Sequence, residues 1–352
     1  MTWRPARGIW IWHFFRQRGP AQKTTRYLCI ERTAIQTSTP QYGPVRVSVI
    51  MPAYNRGYII SEALESLFAQ TYHDFELIVV DDGSTDDTGE VVSRFTDTRL
   101  RYVRHEQNRG CSAAYNTGFR QSRGEFVAIL DSDDLWRAGK LANDVDFLDR
   151  HREADAVFTD LEKLDGSRFT PSFMRESPCM AALLAQKRWP KERVFSQREM
   201  YLCLLQEVPV KTPACTIRRA ALEDVGYFNE TWPSGSDWNF FLRFSKHHRF
   251  GYVDEPLAIV RVQSDATHRL HAVADKSLVL GMLHAEFKHT NDPEIRKSAK
   301  MGYRDAVRHL SWEYLRRGEK LNASQALARG FLATGQPGLL ARSLYALVRK
   351  DS

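Results

Sequence analysis

Closely spaced carboxylates follow an apolar segment in the middle of this sequence. Asp131 and Asp133 are separated by one residue, and Asp134 follows directly. Carboxylates crowded in this way raise each other's pKa unless a cation neutralises them. A hard divalent ion, Mn²⁺ or Mg²⁺, is the natural partner, because carboxylates hold it while phosphate oxygens fill other positions. The local alternative is that Asp133 or Asp134 only caps a helix through residues 141–148.

A second acidic pair, Asp81 and Asp82, precedes Gly83 and Ser84. The simpler interpretation is a tight turn in which glycine adopts a positive φ and an Asp or Ser side chain caps the next helix. The functional alternative is a carboxylate directed at the donor groups of a ligand, such as a pyrimidine N–H or a ribose hydroxyl. The chain contains neither G-x-G-x-x-G nor G-x-x-x-x-G-K-[ST], so no dinucleotide fingerprint and no P-loop is predicted.

Asp237 stands at the start of an aromatic segment, residues 239–244, that predicts a helix. An aspartate at this position is a good helix N-cap. The alternative is a general base at the rim of a pocket between Trp232 and Trp238, which would have to reach the proton that it removes. The spacing alone leaves both possibilities open.

Apolar and amphipathic segments alternate from residue 45 onward and predict the elements that carry these acids. Short apolar, β-branched runs predict strands, and apolar residues at helical spacing predict helices. The predicted strands are 45–50, 75–80, 100–103 and 126–130, and the predicted helices are 59–70, 85–95 and 112–122. This alternation indicates an α/β fold with a parallel sheet. Ligands bind beyond the carboxyl ends of such strands, so we expect the loops after Ile50, Val80 and Leu130 to line one crevice.

Together these segments resemble a family-2 glycosyltransferase of the inverting type. The resemblance is carried by Pro52-Ala53-Tyr54-Asn55-Arg56, 63–71, 75–86, Asn108-Arg109-Gly110, 114–118, 124–126 and 131–134. It covers about residues 45–145 and extends weakly to 262. It implies the glycosyltransferase A fold, a mainly parallel Rossmann-like sheet flanked by helices, here with a helical C-terminal extension.

The resemblance also implies a nucleotide-diphosphate-sugar donor, with a UDP-sugar favoured, and a divalent metal, Mn²⁺ or Mg²⁺. It assigns donor contacts to Pro52, Ala53, Tyr54, Asp81, Asp82, Arg109 and Asp131. It makes Asp133 a metal ligand together with Asp131 of the Asp-x-Asp pair, and it makes Asp237 the catalytic base. In the implied mechanism, Asp237 deprotonates an acceptor hydroxyl that attacks the anomeric carbon with inversion.

Two positions depart from the family pattern. Ser236 precedes Asp237, where the family usually has an acidic pair. The segment at Arg261 ends in Gln263 where a histidine is common, and His268 follows five residues later. These departures keep open a protein that binds a nucleotide sugar or glycan with weak or no catalysis. A nucleotidyltransferase is a further alternative, because it also joins an acid pair to an α/β sheet.

The charge of the chain is unevenly distributed. The 352 residues carry 50 basic and 43 acidic side chains, a net charge of +7. Residues 1–44 and 275–352 each carry +6, whereas residues 45–274 carry −5. Phosphate backbones bind clustered cations, so we expect no nucleic-acid partner. The five scattered cysteines are odd in number and lack a C-x-x-C pair, which suits a reducing compartment and argues against a disulfide scaffold or a structural zinc site.

These patterns predict three regions. Residues 1–44 form a basic aromatic leader, either disordered or interfacial. Residues 45–274 form the catalytic domain, with a nucleotide-sugar half (45–145) and an acceptor half (146–274). Residues 275–352 form a helical region that either caps this domain or rests on anionic lipid. Since no apolar run approaches a membrane span, we expect a cytoplasmic enzyme with peripheral contact at the inner face of the membrane, acting on a glycan or lipid-linked acceptor.

Overall fold

The structure, a computed structural model, describes residues 45–186, 188–232, 235–262 and 266–348. The predicted leader, residues 1–44, lies outside the described residues, as do Gln263 and the side chain of His268. The predictions made for them therefore stay predictions.

The described residues contain one large sheet. Its strands are β1 (Val47–Ala53), β2 (Phe75–Asp81), β3 (Leu100–Arg104), β4 (Phe126–Ile129), β5 (Leu135–Trp136), β6 (Ala156–Asp165), β7 (Arg168–Thr170), β8 (Glu192–Val194), β9 (Cys215–Arg218) and β10 (Phe250–Val262). Their order is β3-β2-β1-β4-β9-β6-β10-β5, with β7 paired to β6 and β8 to β10. The first four are mutually parallel, and β6 and β10 form a second parallel pair. The mainly parallel sheet predicted from the sequence is confirmed.

Helices flank this sheet and form the C-terminal region. They are α1 (Ile60–Phe68), α2 (Thr88–Ser93), α3 (Cys111–Gln121), α4 (Lys140–Arg150), α5 (Phe173–Glu176), α6 (Pro178–Ala185), α7 (Gln197–Leu204), α8 (Arg219–Val225), α9 (Ser236–Ser245), α10 (Ala266–His289), α11 (Pro293–Arg316), α12 (Lys320–Thr334) and α13 (Pro337–Val348). Helix α10 begins at Ala266, before the start that its apolar pattern indicates, and continues across position 274. The predicted domain boundary at that position stays a prediction. Among the described residues, no helix combines the length and apolar character that a membrane span requires.

Alternating side chains of the central strands build a core on each face of the sheet. In β1, Val49 and Met51 join the apolar cluster on one face, and Ile50 joins the cluster on the other. Successive strand residues point to opposite faces, so a strand buried on both sides is apolar throughout. This double burial explains why the strand runs are continuous rather than alternating.

The strand register brings the predicted loops together. Ala53 at the end of β1 pairs with Asp81 at the end of β2, and Ile50 of β1 pairs with Ile129 of β4. The backbone N–H of Asp82 then donates to the carbonyl of Ala53 at 2.8 Å. The carboxyl ends of β1, β2 and β4 therefore lie side by side at one edge of the sheet.

Candidate functional site

The crevice begins at the turn after β1. Pro52 and Ala53 are buried at the end of that strand, whereas the Tyr54 ring is 39% exposed. Asn55 has a φ of 53°. Its backbone N–H donates to the Ser84 hydroxyl at 2.9 Å, and its side-chain oxygen accepts from the N–H of Thr85 at 2.8 Å. These bonds join the turns after β1 and β2 and present Tyr54 as an exposed aromatic surface.

The two acids after β2 have different surroundings. Asp81 is fully buried, and it accepts hydrogen bonds from the Ser84 N–H at 2.7 Å and from the Tyr102 hydroxyl. Asp82 accepts from His105 Nδ1 at 2.6 Å and from the N–H of Gly110 at 2.7 Å. The predicted tight turn is therefore present and is closed by Asp81, but neither Asp81 nor Ser84 caps α2, whose N-cap residue is Asp87 without a side-chain bond. Asp82 instead ties the end of β2 to the loop that leads into α3.

A glycine is required at position 83, directly after these two acids. Its φ is +77°, which glycine adopts without steric cost. A β-carbon here would also stand 2.7 Å from the carbonyl carbon of Gln107. The loop of residues 105–110 consequently lies directly against the turn.

Arg109 reaches this part of the crevice mainly through its backbone. Its N–H donates to Asp82 Oδ1 at 2.9 Å. Its guanidinium is 46% exposed and pairs with Glu230, with Nη2 3.3 Å from Oε2. The predicted contact of Arg109 with a base or phosphate remains untested.

Asp131 follows the end of β4, and hydrogen bonds, burial and neighbouring charges all act on its carboxyl group. Thr212 Oγ1 donates to it at 3.0 Å, and the Tyr115 hydroxyl donates to its other oxygen. Burial and the negative charges of Asp133 and Asp237 nevertheless raise the pKa of Asp131 to about 6. The structure therefore brings the Asp-x-Asp pair and the candidate base into one electrostatic neighbourhood.

Asp133 and Asp134 do not cap the following helix. Helix α4 begins at Lys140 after the N-cap residue Gly139, with no side-chain cap. Asp134 Oδ1 instead accepts from the N–H of Arg261 at 2.9 Å, and burial raises its pKa well above the ordinary range. The capping interpretation of these two acids is wrong, because β5 intervenes before the helix.

Asp133 is partly exposed, as Asp131 is, whereas Asp134 is buried. The Asp133 side chain is 19% exposed, and its Oδ2 lies 3.6 Å from Arg56 Nε. The carboxylates of Asp131 and Asp133 supply the oxygen ligands that Mg²⁺ and Mn²⁺ prefer. The raised pKa of Asp131 marks an excess of negative charge that a cation would relieve. The donor set therefore fits the divalent ion predicted from the sequence.

Asp237 lies in the first turn of α9, where its Oδ1 accepts from the Trp238 N–H at 2.8 Å, but it is not the N-cap residue. The N-cap is Gly235, with a φ of 67° and no side-chain bond. The preceding Ser236 accepts from Ser112 of α3 at 2.8 Å, which joins the starts of α3 and α9. The N-cap interpretation of Asp237 is wrong, and its partly buried carboxylate stands beside the charges of the crevice.

The aromatic neighbours of Asp237 differ in accessibility. Trp232 is buried, whereas Trp238 is partly buried and donates from Nε1 to the Leu204 carbonyl at 2.6 Å. Burial lowers the pKa of Lys211, and the negative charge of Asp237 opposes this shift. Lys211 therefore lies within electrostatic range of the candidate general base Asp237, although its sequence context did not indicate this.

Several side chains of the crevice carried little sequence signal. Tyr115 falls within segment 114–118 of the family pattern, and this was the sequence signal that could have identified it. His105, Lys211 and Thr212 reach the crevice only because distant segments meet there. Contacts over such separations leave no local pattern in one sequence.

Comparison with known proteins assigns the sheet and its crevice to a family. Residues 48–226 match the model described as Glycosyl transferase family 2. A 95-residue stretch, 27% of this chain and 38% of the relative, is 44% identical to UDP-Glc:alpha-D-GlcNAc-diphosphoundecaprenol beta-1,3-glucosyltransferase WfgD of Escherichia coli. The chain spans between 29% and 38% of the length of the first three curated relatives that it matches.

Solved structures share the fold. S. aureus TarS 1-349 in complex with UDP-GlcNAc matches with a TM-score of 0.62 at 21% identity, over 86% of this chain and 88% of that one. The mannosyltransferase PcManGT of Pyrobaculum calidifontis, in complex with GDP-Man and Mn²⁺, matches with a TM-score of 0.54 at 23% identity, over 88% and 82%. The glycosyltransferase A fold predicted from the sequence is confirmed.

Proposed function

The chain belongs to glycosyl transferase family 2, and we propose that it moves a sugar from a nucleotide-diphosphate donor to an acceptor hydroxyl. The observation that carries this proposal is the meeting of Asp131, Asp133 and Asp237 at the carboxyl end of the sheet. Helix α3 links them: Tyr115 donates to Asp131, which follows β4, and Ser112, one turn earlier, donates to Ser236, the neighbour of Asp237 in α9. We place the reaction in polysaccharide or glycoconjugate biosynthesis.

The nucleoside lies against the turns after β1 and β2. Pro52, Ala53 and Tyr54 form its wall, and the exposed Tyr54 ring offers a stacking surface. Asp82, with Asp81 behind it, offers carboxylate oxygen to the N–H groups of the base. The Arg109 guanidinium exchanges Glu230 for the donor phosphate.

The donor is a UDP-sugar. This choice is supported by the donor in the name of the WfgD relative, UDP-Glc, and by the complex of TarS with UDP-GlcNAc. The acceptor is a glycan or a lipid-linked sugar, as the diphosphoundecaprenol in the WfgD name suggests. An acceptor of the second kind places the enzyme on the cytoplasmic side of a membrane, in peripheral contact with it.

Asp133 and Asp131 would hold a divalent cation, Mn²⁺ or Mg²⁺. Such an ion supplies Lewis-acid stabilisation of the charge that develops on the departing nucleoside diphosphate. Asp131 is oriented for this task by Tyr115 and Thr212, which fix one oxygen each. The Mn²⁺ complex of PcManGT, which shares the fold, supports the use of a divalent metal.

Asp237 takes the proton from the acceptor hydroxyl. That oxygen attacks the anomeric carbon on the face opposite the leaving diphosphate, so a single displacement inverts the configuration. The carboxylate of Asp237 lies within electrostatic range of Asp131 in the crevice and of the Lys211 ammonium.

Replacement of Asp237 by Asn tests this mechanism. We expect Asp237→Asn to lower kcat by about 10²–10⁴-fold, the range for loss of a general base. The affinity for the nucleotide, measured by calorimetry, should remain within about twofold of the wild type, because the Asp237 carboxylate does not contact the nucleoside. Asp146→Asn, at an exposed aspartate of α4, is the matched control and should retain full activity.

The products distinguish the alternatives. Release of nucleoside diphosphate with a new glycosidic bond supports the proposal, and a wild-type rate in Asp237→Asn refutes the assigned base. Release of pyrophosphate would identify a nucleotidyltransferase instead. Donor binding without turnover across a panel of acceptors would indicate a binding protein.

A further inference from the structure

Two cysteines and a glutamate lie close together outside the crevice. Cys179 belongs to α6, Cys203 belongs to α7, and Glu207 follows the end of α7. One ligand atom from each, two sulfurs and a carboxylate oxygen, lies within 4.8 Å of the others. Cys203 is fully buried, and the other two side chains are partly buried. The cluster therefore offers three convergent ligands in a sheltered position.

The local geometry holds Glu207 in place for this purpose. Its N–H donates to the Cys203 carbonyl at 3.1 Å, which continues the last helical turn and puts both side chains on one face. Its Oε1 accepts from the Ser177 hydroxyl at 2.5 Å and from the Cys179 N–H at 2.7 Å. Hydrogen bonds to one oxygen of a carboxylate orient the other oxygen toward a metal ion.

We propose that Cys179, Cys203 and Glu207 form a binding site for a thiophilic divalent cation, with Zn²⁺ as the best fit. Zinc takes thiolate sulfur at about 2.3 Å and carboxylate oxygen at about 2.0–2.2 Å in tetrahedral geometry, with water as the fourth ligand. Tetrahedral sulfurs then stand about 3.8 Å apart, so a small side-chain rotation closes the present set. Each thiol releases its proton to solvent as it becomes a ligand.

This site differs in chemistry from the acids of the crevice. Asp131 and Asp133 offer only oxygen and suit hard ions, whereas two sulfurs select soft ones. The absence of a C-x-x-C pair argued against zinc at the sequence level. The fold overcomes that argument, because α6 and α7 bring Cys179 and Cys203 together from positions 24 residues apart.

Metal binding would fasten a segment that leads to the crevice. Thr212, the partner of Asp131, follows Glu207 by five residues. The Leu204 carbonyl, next to Cys203, accepts from Trp238 beside the candidate base. The ion therefore acts as a structural clamp between α6, α7 and this segment, and its binding is measurable without any sugar transfer.

The test uses the full chain, stripped of metal by a chelator and then titrated with Zn²⁺ against a chromophoric competitor. We expect one Zn²⁺ per chain at this site, with two sulfur scatterers at about 2.3 Å in X-ray absorption. Cys179→Ser and Cys203→Ala should each weaken binding by at least about a hundredfold. Ser177→Ala, which removes a bond that orients Glu207, should weaken it by about tenfold. Circular dichroism verifies that each variant is folded.

Control variants separate this site from the remaining ligands of the chain. Cys111→Ser, Cys215→Ala and the crevice variant Asp133→Asn should leave the sulfur signal and the affinity within about twofold of the wild type. Glu207→Gln retains an oxygen acceptor for Ser177 and tests the carboxylate if a cysteine variant fails to fold. Wild-type protein without sulfur ligation, or undiminished zinc binding in Cys179→Ser, would overturn the proposal.

Discussion

Aspartate side chains of this molecule have different structural roles because their surroundings differ. Asp81 closes a turn by accepting from the backbone N–H of Ser84. Asp134 is buried and accepts from the backbone N–H of Arg261. Asp131 is held by two hydroxyl donors, while Asp133 keeps an accessible side chain. Exposure and existing partners, rather than residue type, decide which acid remains available to a cation.

Asp133 and Asp134 offer a matched pair for the metal assignment. We expect Asp133→Asn to weaken Mn²⁺ binding by at least about tenfold, or about 1.4 kcal/mol, because it removes an accessible anionic ligand. Asp134→Asn keeps an oxygen acceptor for the Arg261 N–H and should leave affinity within about twofold. Calorimetric titration in the presence of UDP measures both. Equal losses in the two variants would contradict the assignment.

Gly83 is a residue at which backbone conformation limits function. Gly83→Ala combines a positive φ with a contact of 2.7 Å to the backbone of Gln107, so it should destabilise the fold by about 1–3 kcal/mol. The displaced loop also carries the partners of Asp82, and UDP binding should weaken. Chemical denaturation and nucleotide titration test these effects. Gly281→Ala in α10 meets nothing within 4 Å, and it should be neutral or stabilising by up to about 1 kcal/mol.

At the scale of elements, the crevice depends on connections between non-adjacent segments. β9 enters the sheet between β4 and β6, antiparallel to both, and the segment before it delivers Thr212 to Asp131. The Ser112–Ser236 bond joins α3 to α9, and the Asn116 side chain bonds the Phe228 backbone at 2.9 Å. The position of Asp237 thus follows from packing rather than from its own helix.

At the end of the sheet opposite the crevice, Glu76 of β2 connects β1 to the segment that precedes β4. This buried carboxylate accepts from the Ser48 hydroxyl at 2.7 Å and from the Arg123 guanidinium at 2.8 Å. Burial alone would raise its pKa, but the bonds from Arg123 and Ser48 outweigh burial and leave the pKa lowered. A lowered pKa means that folding favours the ionised form. This contribution is complete above the unfolded-state pKa and is lost as the pH falls through the folded-state value.

Glu76→Gln should therefore destabilise the protein most at neutral pH. We expect a loss of about 2–3 kcal/mol at pH 7, since charge-assisted hydrogen bonds are replaced by weaker ones. The difference from the wild type should shrink as the pH falls below the ordinary glutamate pKa of about 4.3 and through the lowered pKa of folded Glu76, where Glu76 of the wild type also becomes neutral. Urea denaturation at several pH values measures it. Glu65→Gln, on the exposed face of α1, should change stability by less than about 0.5 kcal/mol, and a loss at Glu76 independent of pH would contradict this account.

At the scale of the whole molecule, charge and apolar surface are divided between regions. Residues 45–274 carry a net charge of −5, and residues 275–352 carry +6. In α13, Leu340, Leu344 and Leu347 follow helical spacing and are all exposed. Arg304, Arg308 and Arg342 line a cleft at the start of the same helix. An exposed apolar stripe in a region of net positive charge suits the proposed contact with an anionic lipid surface.

Serine substitution of all three leucines tests this contact. We expect the triple variant to bind vesicles containing phosphatidylglycerol at least about tenfold less, because each leucine contributes about 1 kcal/mol or more on burial. Binding should also weaken with salt and vanish on phosphatidylcholine alone. Leu332→Ser, at an exposed leucine of α12, is the control. Undiminished co-sedimentation of the triple variant would exclude α13, and a parallel chain lacking residues 1–44 tests the leader.

The sequence by itself determined the order of strands and helices along residues 45–145, the parallel sheet, and the edge at which Asp82, Asp131 and Asp133 meet. Hydrophobic periodicity and turn residues are local, and burial on both faces leaves an unmistakable apolar run. Only the tertiary structure decided which acids keep an accessible oxygen, and that Thr212, Tyr115 and Lys211 surround them. It also brought Cys179 to Cys203. These outcomes depend on contacts between distant segments, and such contacts follow from how whole elements pack rather than from any local run of residues.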